Sequence, residues 1–292
     1  MLTPELIKKI KRIHIASGRV VDSMMAGHYR SAFRGSGIEF EEVREYSPGD
    51  EVKSIDWKVT ARMGRPYVKL FREERELVIM LLVDLSASAR FGTTSSIKIE
   101  TTTEVASILA FNAIRNNDKV GAVLFTDRVE RYIPPKKGSA HVWRVIKEIL
   151  SFRPRGKGTD IDRAAGFLAK VCRKKTVSFL ISDFVATGYI QALKRLNRRH
   201  DLIAVLVSDP GDFRLPSGGV LETEDLETGR RVLVDCSDRS TREAFARRQE
   251  TWYQETCDTL TGAKIDHIEL HTDGSTSDAL YTFFRYREKR LR

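Results

Sequence analysis

The chain has 292 residues, of which 41% are apolar and 31% charged, enough for one large α/β domain or a domain with an appendage and too apolar for a disordered chain. Its net charge of +10 sits at the two ends: residues 1–37 hold seven Lys/Arg against Glu5 and Asp22, and residues 281–292 hold five against Glu288. No basic groove with interleaved aromatics is left for the body, which argues against specific nucleic-acid binding, and the longest apolar run, Leu77 to Val83, falls far short of the roughly 20 residues of a membrane span.

In chain order, Thr3 and Pro4 open a predicted helix with Leu6, Ile10, Ile13, Val20 and Met24 on one stripe and Lys8, Lys9, Lys11, Arg12 and Arg19 off it. Such a basic amphipathic helix docks on the body or rests weakly on an anionic membrane surface. From His28 to Glu76, glycines, prolines and short alternating stretches predict a small β-rich appendage with an acidic centre, Glu39 to Glu51, which Arg44, Arg62 and Arg65 can pair. Asp56-Trp57 either exposes an interaction surface or, the commoner arrangement for a Trp near an Ile such as Ile55, packs inward. The expected division is therefore 1–76, helix and β-rich segment, and 77–292, one α/β domain.

After Leu77, strands and helices alternate. Strands are predicted at 77–84, 119–126, 128–133, 176–182, 202–208 and 264–271, and helices at 97–116, 139–151, 160–173, 188–199, 239–260 and 275–289. Their apolar runs imply strands buried on both faces, hence a doubly wound, mostly parallel sheet with helices on each side. The close pair 119–126 and 128–133 leaves too little chain for a crossover and predicts one antiparallel edge strand. Leu221 to Asp235, with Glu227-Thr228-Gly229-Arg230 in its middle, reads as an inserted β-hairpin, a plain surface feature or a partner contact.

Oxygen side chains cluster where buried strands end. Asp84-Leu85-Ser86-Ala87-Ser88 follows the first strand, Gly158-Thr159-Asp160 stands in a glycine-rich turn, and Ser182-Asp183 follows the run Val177 to Ile181. Each alone reads as a helix N-cap. Together they offer Asp84, Ser86, Ser88, Thr159 and Asp183, five hard oxygen donors without thiolate or imidazole, as Mg²⁺ or Mn²⁺ requires. Asp84 and Asp183 would meet at the carboxyl ends of the strands, at the topological switch point.

These three pieces resemble the metal-ion-dependent adhesion site (MIDAS) of von Willebrand factor A domains. The resemblance implies that Ser86, Ser88 and Thr159 ligate the ion directly and that Asp84 and Asp183 reach it through water, with Asp160 a helix cap outside the set. Upstream, Gly35-Ser36-Gly37-Ile38-Glu39-Phe40, Arg44-Glu45-Tyr46, Pro48-Gly49-Asp50 and Ile55-Asp56-Trp57-Lys58 run into Ala61-Arg62. That string is similar to the signature of the bacterial DUF58 family, which carries it before an A-type domain; Lys53-Ser54 departs from the Arg-rich pair expected there. The resemblance covers nearly the whole chain from Gly35 onward. It implies a non-enzymatic module that binds a partner carboxylate through Mg²⁺ or Mn²⁺, with a MoxR-type AAA+ ATPase as that partner.

Enzymatic readings find little support. There is no G-x-x-x-x-G-K-[ST] loop, Ser86 has no G-x-S-x-G context, and Ser86 stands where a phosphatase with an Asp84 nucleophile would place its second acid. A metal-dependent hydrolase, or a peripheral membrane protein using its basic ends, is the alternative. His267 and His271 share a strand face without helical ligand spacing. Cys172, Cys236 and Cys257 are odd in number and widely spaced, so reduced thiols are expected, and the segment Met1 to Glu5 lacks a signal-peptide hydrophobic region, so a cytoplasmic location is expected.

Overall fold

A computed structural model describes residue 33, residues 39–72 and residues 76–291. The N-terminal amphipathic helix and the Gly35–Ile38 start of the glycine string lie outside the described residues. The chain separates into two compact units, one formed by Arg34–Glu76 and the other by Met1–Phe33 together with Leu77–Arg292.

In the smaller unit, β1 (Glu39–Glu45) pairs antiparallel with β2 (Tyr67–Arg72). Between them lies α1 (Trp57–Met63), whose N-terminus is capped by Asp56 accepting from the amides of Lys58 and Val59, and which stops at Gly64 in the left-handed conformation. Arg44 grips Asp50 through two bonds of 2.8 and 2.7 Å, and Arg65 reaches Glu45, so part of the expected acid–base pairing is present. Trp57 takes the exposed arrangement. It is 66% exposed, because it is the first residue of a single short helix whose cap, Asp56, fixes the chain direction and leaves the indole outside.

The larger unit is built on a six-stranded sheet in the order β10-β7-β6-β3-β4-β5. Its strands are β3 (Val78–Asp84), β4 (Lys119–Phe125), β5 (Val129–Lys136), β6 (Val177–Ser182), β7 (Asp201–Ser208) and β10 (Asp266–His271). All neighbours are parallel except β4 and β5, so the antiparallel edge strand is where the sequence placed it. The separate hairpin β8 (Val220–Glu224) with β9 (Arg231–Asp235) follows β7. This is the doubly wound α/β architecture that the buried runs imply.

Period-two alternation shows why β3 is apolar throughout. Ile79, Leu81 and Val83 enter the core against α2 (Lys98–Arg115), α3 (Ser139–Ser151) and α7 (Thr276–Leu291), whereas Met80 and Leu82 enter the opposite core against α4 (Ile161–Val171), α5 (Ile190–Asn197) and α6 (Arg239–Gly262). Phe33 joins the first of these cores, edge-on to Phe179 and Phe284 with ring centroids 6.1 and 5.7 Å away. Chain direction decides the rest. From β3 the chain moves outward to β4 and β5, then returns to β6 on the other flank of β3 and winds away through β7 to β10. The carboxyl ends of β3 and β6 are thus adjacent at the point where winding reverses, and a crevice forms there. No helix among the described residues is long and apolar enough to cross a membrane.

Candidate metal centre

Asp84 ends β3 and is buried at the crevice. Its Oδ1 accepts from the amide of Ser86 at 2.8 Å, which folds the D-x-S turn back on itself, and its Oδ2 accepts from the Ser182 hydroxyl at 2.6 Å. The chain then makes one 3₁₀ turn, Ala87–Arg90, that brings the hydroxyls of Ser86 and Ser88 to 3.0 Å. The amide of Ala87 donates to Lys157 O at 2.8 Å, joining this turn to the loop of the second motif.

Thr159 is held by that loop. Glu130 Oε1 accepts from the amides of Arg155 (3.0 Å) and Gly156 (2.8 Å) and from Thr126 Oγ1 (2.9 Å), while the amide of Asp160 donates to Thr126 O. Gly156 is required here, since a Cβ would stand 2.0 Å from Asp127 Oδ1 and 2.3 Å from Thr126 Oγ1. Asp160 caps α4 through the amide of Arg163, as expected. In this setting Thr159 Oγ1 lies 3.5 Å from Asp84 Oδ2. Asp84, Ser86, Ser88 and Thr159 are therefore brought together from two loops.

Asp183 belongs to the same charge cluster but bonds elsewhere. Its Oδ2 accepts from Lys98 Nζ at 3.1 Å, and Lys98 also donates to Asp212 at 2.8 Å. Burial alone would lower the Lys98 pKa; Asp183 and Asp212 reverse this and raise it. The neighbouring Phe184 is fully buried at φ +59°, and its amide donates to Ser182 Oγ at 3.0 Å. A bulky side chain in the left-handed region costs about 1–3 kcal/mol, the kind of strain found at functional sites.

A carboxylate that the sequence left as a hairpin residue completes the cluster. Glu227, at the tip between β8 and β9, accepts the Thr159 hydroxyl at 2.7 Å and stands 3.5 Å from Ser88 Oγ. The hairpin is present over the expected residues, yet it is not a plain surface feature, because its tip folds onto the site. Burial and the charge of Asp183 raise the pKa of both Asp84 and Glu227, and both hold despite hydrogen bonds that favour the ionised form. Burial likewise raises that of Asp212. Lys98 and Glu227 were missed in the sequence; neither lies in a motif.

A cavity of about 260 Å³ opens beside Asp183, lined also by Asp212, Phe213, Arg248, Trp252 and Tyr253. Elsewhere Cys257, His267 and Glu269 bring ligand atoms within 4.8 Å of one another, and burial pushes the Cys257 thiol up to about 11. His271 is bonded to Ser208 Oγ at 2.7 Å, and all three cysteines are free and buried.

The profile described as "Protein of unknown function DUF58" matches residues 42–254, running from β1 through the switch-point crevice to α6. The chain belongs to the DUF58 family. This DUF58 chain is similar to the protein Rv1480 of Mycobacterium tuberculosis, 29% identical over 274 residues that span 92% of this chain and 86% of the other. Among solved structures it overlaps BatB from Bacteroides thetaiotaomicron at TM-score 0.47 and 16% identity, covering 73% of this chain and 99% of BatB. It overlaps the SpRpn10 VWA domain at TM-score 0.40 and 11% identity, covering 70% of this chain and 94% of that one.

Proposed function

We propose that this DUF58 chain is a non-enzymatic interaction module that holds Mg²⁺ or Mn²⁺ at the switch point of its sheet and through it binds an acidic residue of a protein partner. One observation carries the reading: the hydroxyls of Ser86, Ser88 and Thr159 converge from separate loops beside the buried carboxylate of Asp84. Ligands about 2.1 Å from a common Mg²⁺ stand about 3 Å apart along an octahedral edge, and the Ser86 and Ser88 oxygens are 3.0 Å apart. Burial first, and then the charge of Asp183, raise the pKa of Asp84 and Glu227, and a cation among these carboxylates would favour their ionised forms. The donors are hard oxygens, unlike the thiolates and imidazoles that zinc sites favour.

In this reading Ser86, Ser88 and Thr159 are the direct ligands. Asp84 fixes the Ser86 turn, and Asp183, positioned by Lys98, orients water next to the ion, as outer groups do for metal ligands. When bound, an ion ligated mainly by neutral hydroxyls keeps most of its charge and takes a partner carboxylate as a further ligand. The cavity beside Asp183 gives room for side chains flanking that carboxylate. Ser86 Oγ meets Ser88 Oγ rather than an imidazole, which supports recognition over hydrolysis. The partner proposed is a MoxR-type AAA+ ATPase, the class that the resemblance of the Gly49-Asp50 to Asp56-Trp57 stretch implies, and the meeting place proposed is the cytoplasm.

Isothermal titration with Mg²⁺ and Mn²⁺ tests the site. Wild type should bind, and Ser86→Ala should lose most of the heat while melting at nearly the wild-type temperature without metal. Equal binding by both proteins would move the ion elsewhere.

A further inference from the structure

The hairpin is an arm anchored at two ends. At its base the amide of Cys236 donates to Gly219 O at 2.9 Å, and Arg242 donates to Cys236 O at 2.6 Å, with Cys236 itself buried. Between base and tip the strands are largely exposed: Val220, Val232 and Leu233 are 62%, 47% and 71% exposed. A lone two-stranded ribbon is at best marginally stable in water, so the arm's position depends on its ends. The base carries Gly218 and Gly219, at φ +137° and +61°, where an added Cβ would meet open space. These are conformations that only glycine adopts freely.

The tip is built to present one carboxylate. Asp225 Oδ1 accepts from the amides of Glu227 (3.0 Å) and Thr228 (3.3 Å), its Oδ2 accepts from Thr228 Oγ1 at 2.7 Å, and Gly229 closes the turn at φ +72°. Glu227 is thereby held over the site. Its Oε1 accepts a hydrogen bond from the Thr159 hydroxyl, and its Oε2 lies 3.7 Å from where a Cβ on Gly158 would stand. This half-buried carboxylate reaches two hydroxyls assigned to the cation, from 68 and 139 residues away in the chain.

We propose that Glu227 is the chain's own carboxylate for the cation, carried on the hairpin arm, and that it occupies the position that a partner's acidic residue takes. The inference rests on the cation reading above and deepens it. Glu227 adds charge to a ligand set that otherwise offers neutral hydroxyls, so it strengthens ion binding in the resting protein. A partner carboxylate must displace it. The arm's exposed apolar strands then leave with the tip.

Mn²⁺ alone is the probe, with the full chain. Water-proton relaxation counts exchangeable waters on the bound ion, and titration gives its affinity. Glu227→Gln and Glu227→Ala should bind Mn²⁺ roughly tenfold more weakly, ligand charge being what tunes such sites, and should show one more exchangeable water than wild type. Added acetate should remove that water in Glu227→Ala and leave the wild-type count unchanged. Glu222→Gln, on the exposed strand of the same arm, should match wild type throughout. If wild type binds Mn²⁺ and both Glu227 variants equal it in affinity and water count, the assignment of Glu227 fails and the cation reading stands. If wild type binds no Mn²⁺, both fail together.

Discussion

Lys98 and Asp183 form a buried ion pair at 3.1 Å, with side chains only 4% and 6% exposed, at the mouth of the candidate metal centre. An ammonium in that position holds Asp183 in place and offsets charge that a cation would otherwise meet alone. Lys98→Met should therefore destabilise the metal-free protein by about 3–5 kcal/mol, because Asp183 and Asp212 lose their shared partner inside the protein. Mg²⁺ should restore part of the loss. Melts with and without Mg²⁺ check this, at about 2–4 °C per kcal/mol for a domain of this size; an unchanged melting temperature would show that the pair is energetically idle.

Gly156→Ala should separate the Thr159 loop from the fold. The new Cβ would collide with Asp127 Oδ1 and Thr126 Oγ1, so the loop must move and carry Thr159 with it. Mn²⁺ affinity should drop about tenfold or more, whereas far-ultraviolet circular dichroism should stay that of wild type. Wild-type affinity in the variant would mean that Thr159 is not a ligand.

Partner binding should respond to chelation more than to salt. A metal-bridged carboxylate contact is lost in EDTA and in Ser88→Ala, while contacts through the basic chain ends fade with salt, exposed charges being screened beyond about 8–10 Å at physiological ionic strength. Pull-downs with a MoxR-type ATPase from the same cell distinguish the two. Binding by Ser88→Ala that persists in EDTA would place the contact away from the crevice.

His200 should make stability fall in mild acid. The ring is buried; Nδ1 accepts from Thr176 N and pairs with Thr176 Oγ1, and Nε2 has no hydrogen-bond partner among the described residues. Burial, and then Arg199, lower its pKa below the usual 6.5. The unfolded chain thus binds the proton first as pH drops, so the His200 contribution is whole above about pH 6.5 and shrinks as pH falls below it towards the folded value. Urea midpoints at pH 7.5 and 5.5 should differ more for wild type than for His200→Asn. Equal differences would exclude His200 as the cause.

The sheet was legible because β3 and β6 are buried on both faces and read as unbroken apolar runs, and because oxygen side chains at their ends stand out against such runs. The antiparallel edge followed from chain length alone, since nothing longer than a turn separates Phe125 from Val129. Lys98 and Glu227 were not legible for a shared reason. A lysine at a helix start and a glutamate in a hairpin turn look like solvated charges, and only the fold brings Asp183, Asp212, Ser88 and Thr159 to meet them. For Trp57 the commoner inward arrangement gave way to the exposed one, because its surroundings depend on which way one short helix faces.

Phe33 has a practical bearing on how the protein can be taken apart. Its ring fills space between Phe179 and Phe284 in the core of the larger unit, although the 34–76 unit separates it from β3 in sequence. A fragment beginning at Leu77 would contain every described strand and helix of that unit and still lack this ring, a loss of the kind that costs about 3–5 kcal/mol when a buried Phe is removed. Dissection of the two units is better done by splicing out residues 34–76 with a flexible bridge than by trimming from the front. A truncated protein that fails to fold would then report a missing core side chain and not a dependence of one unit on the other.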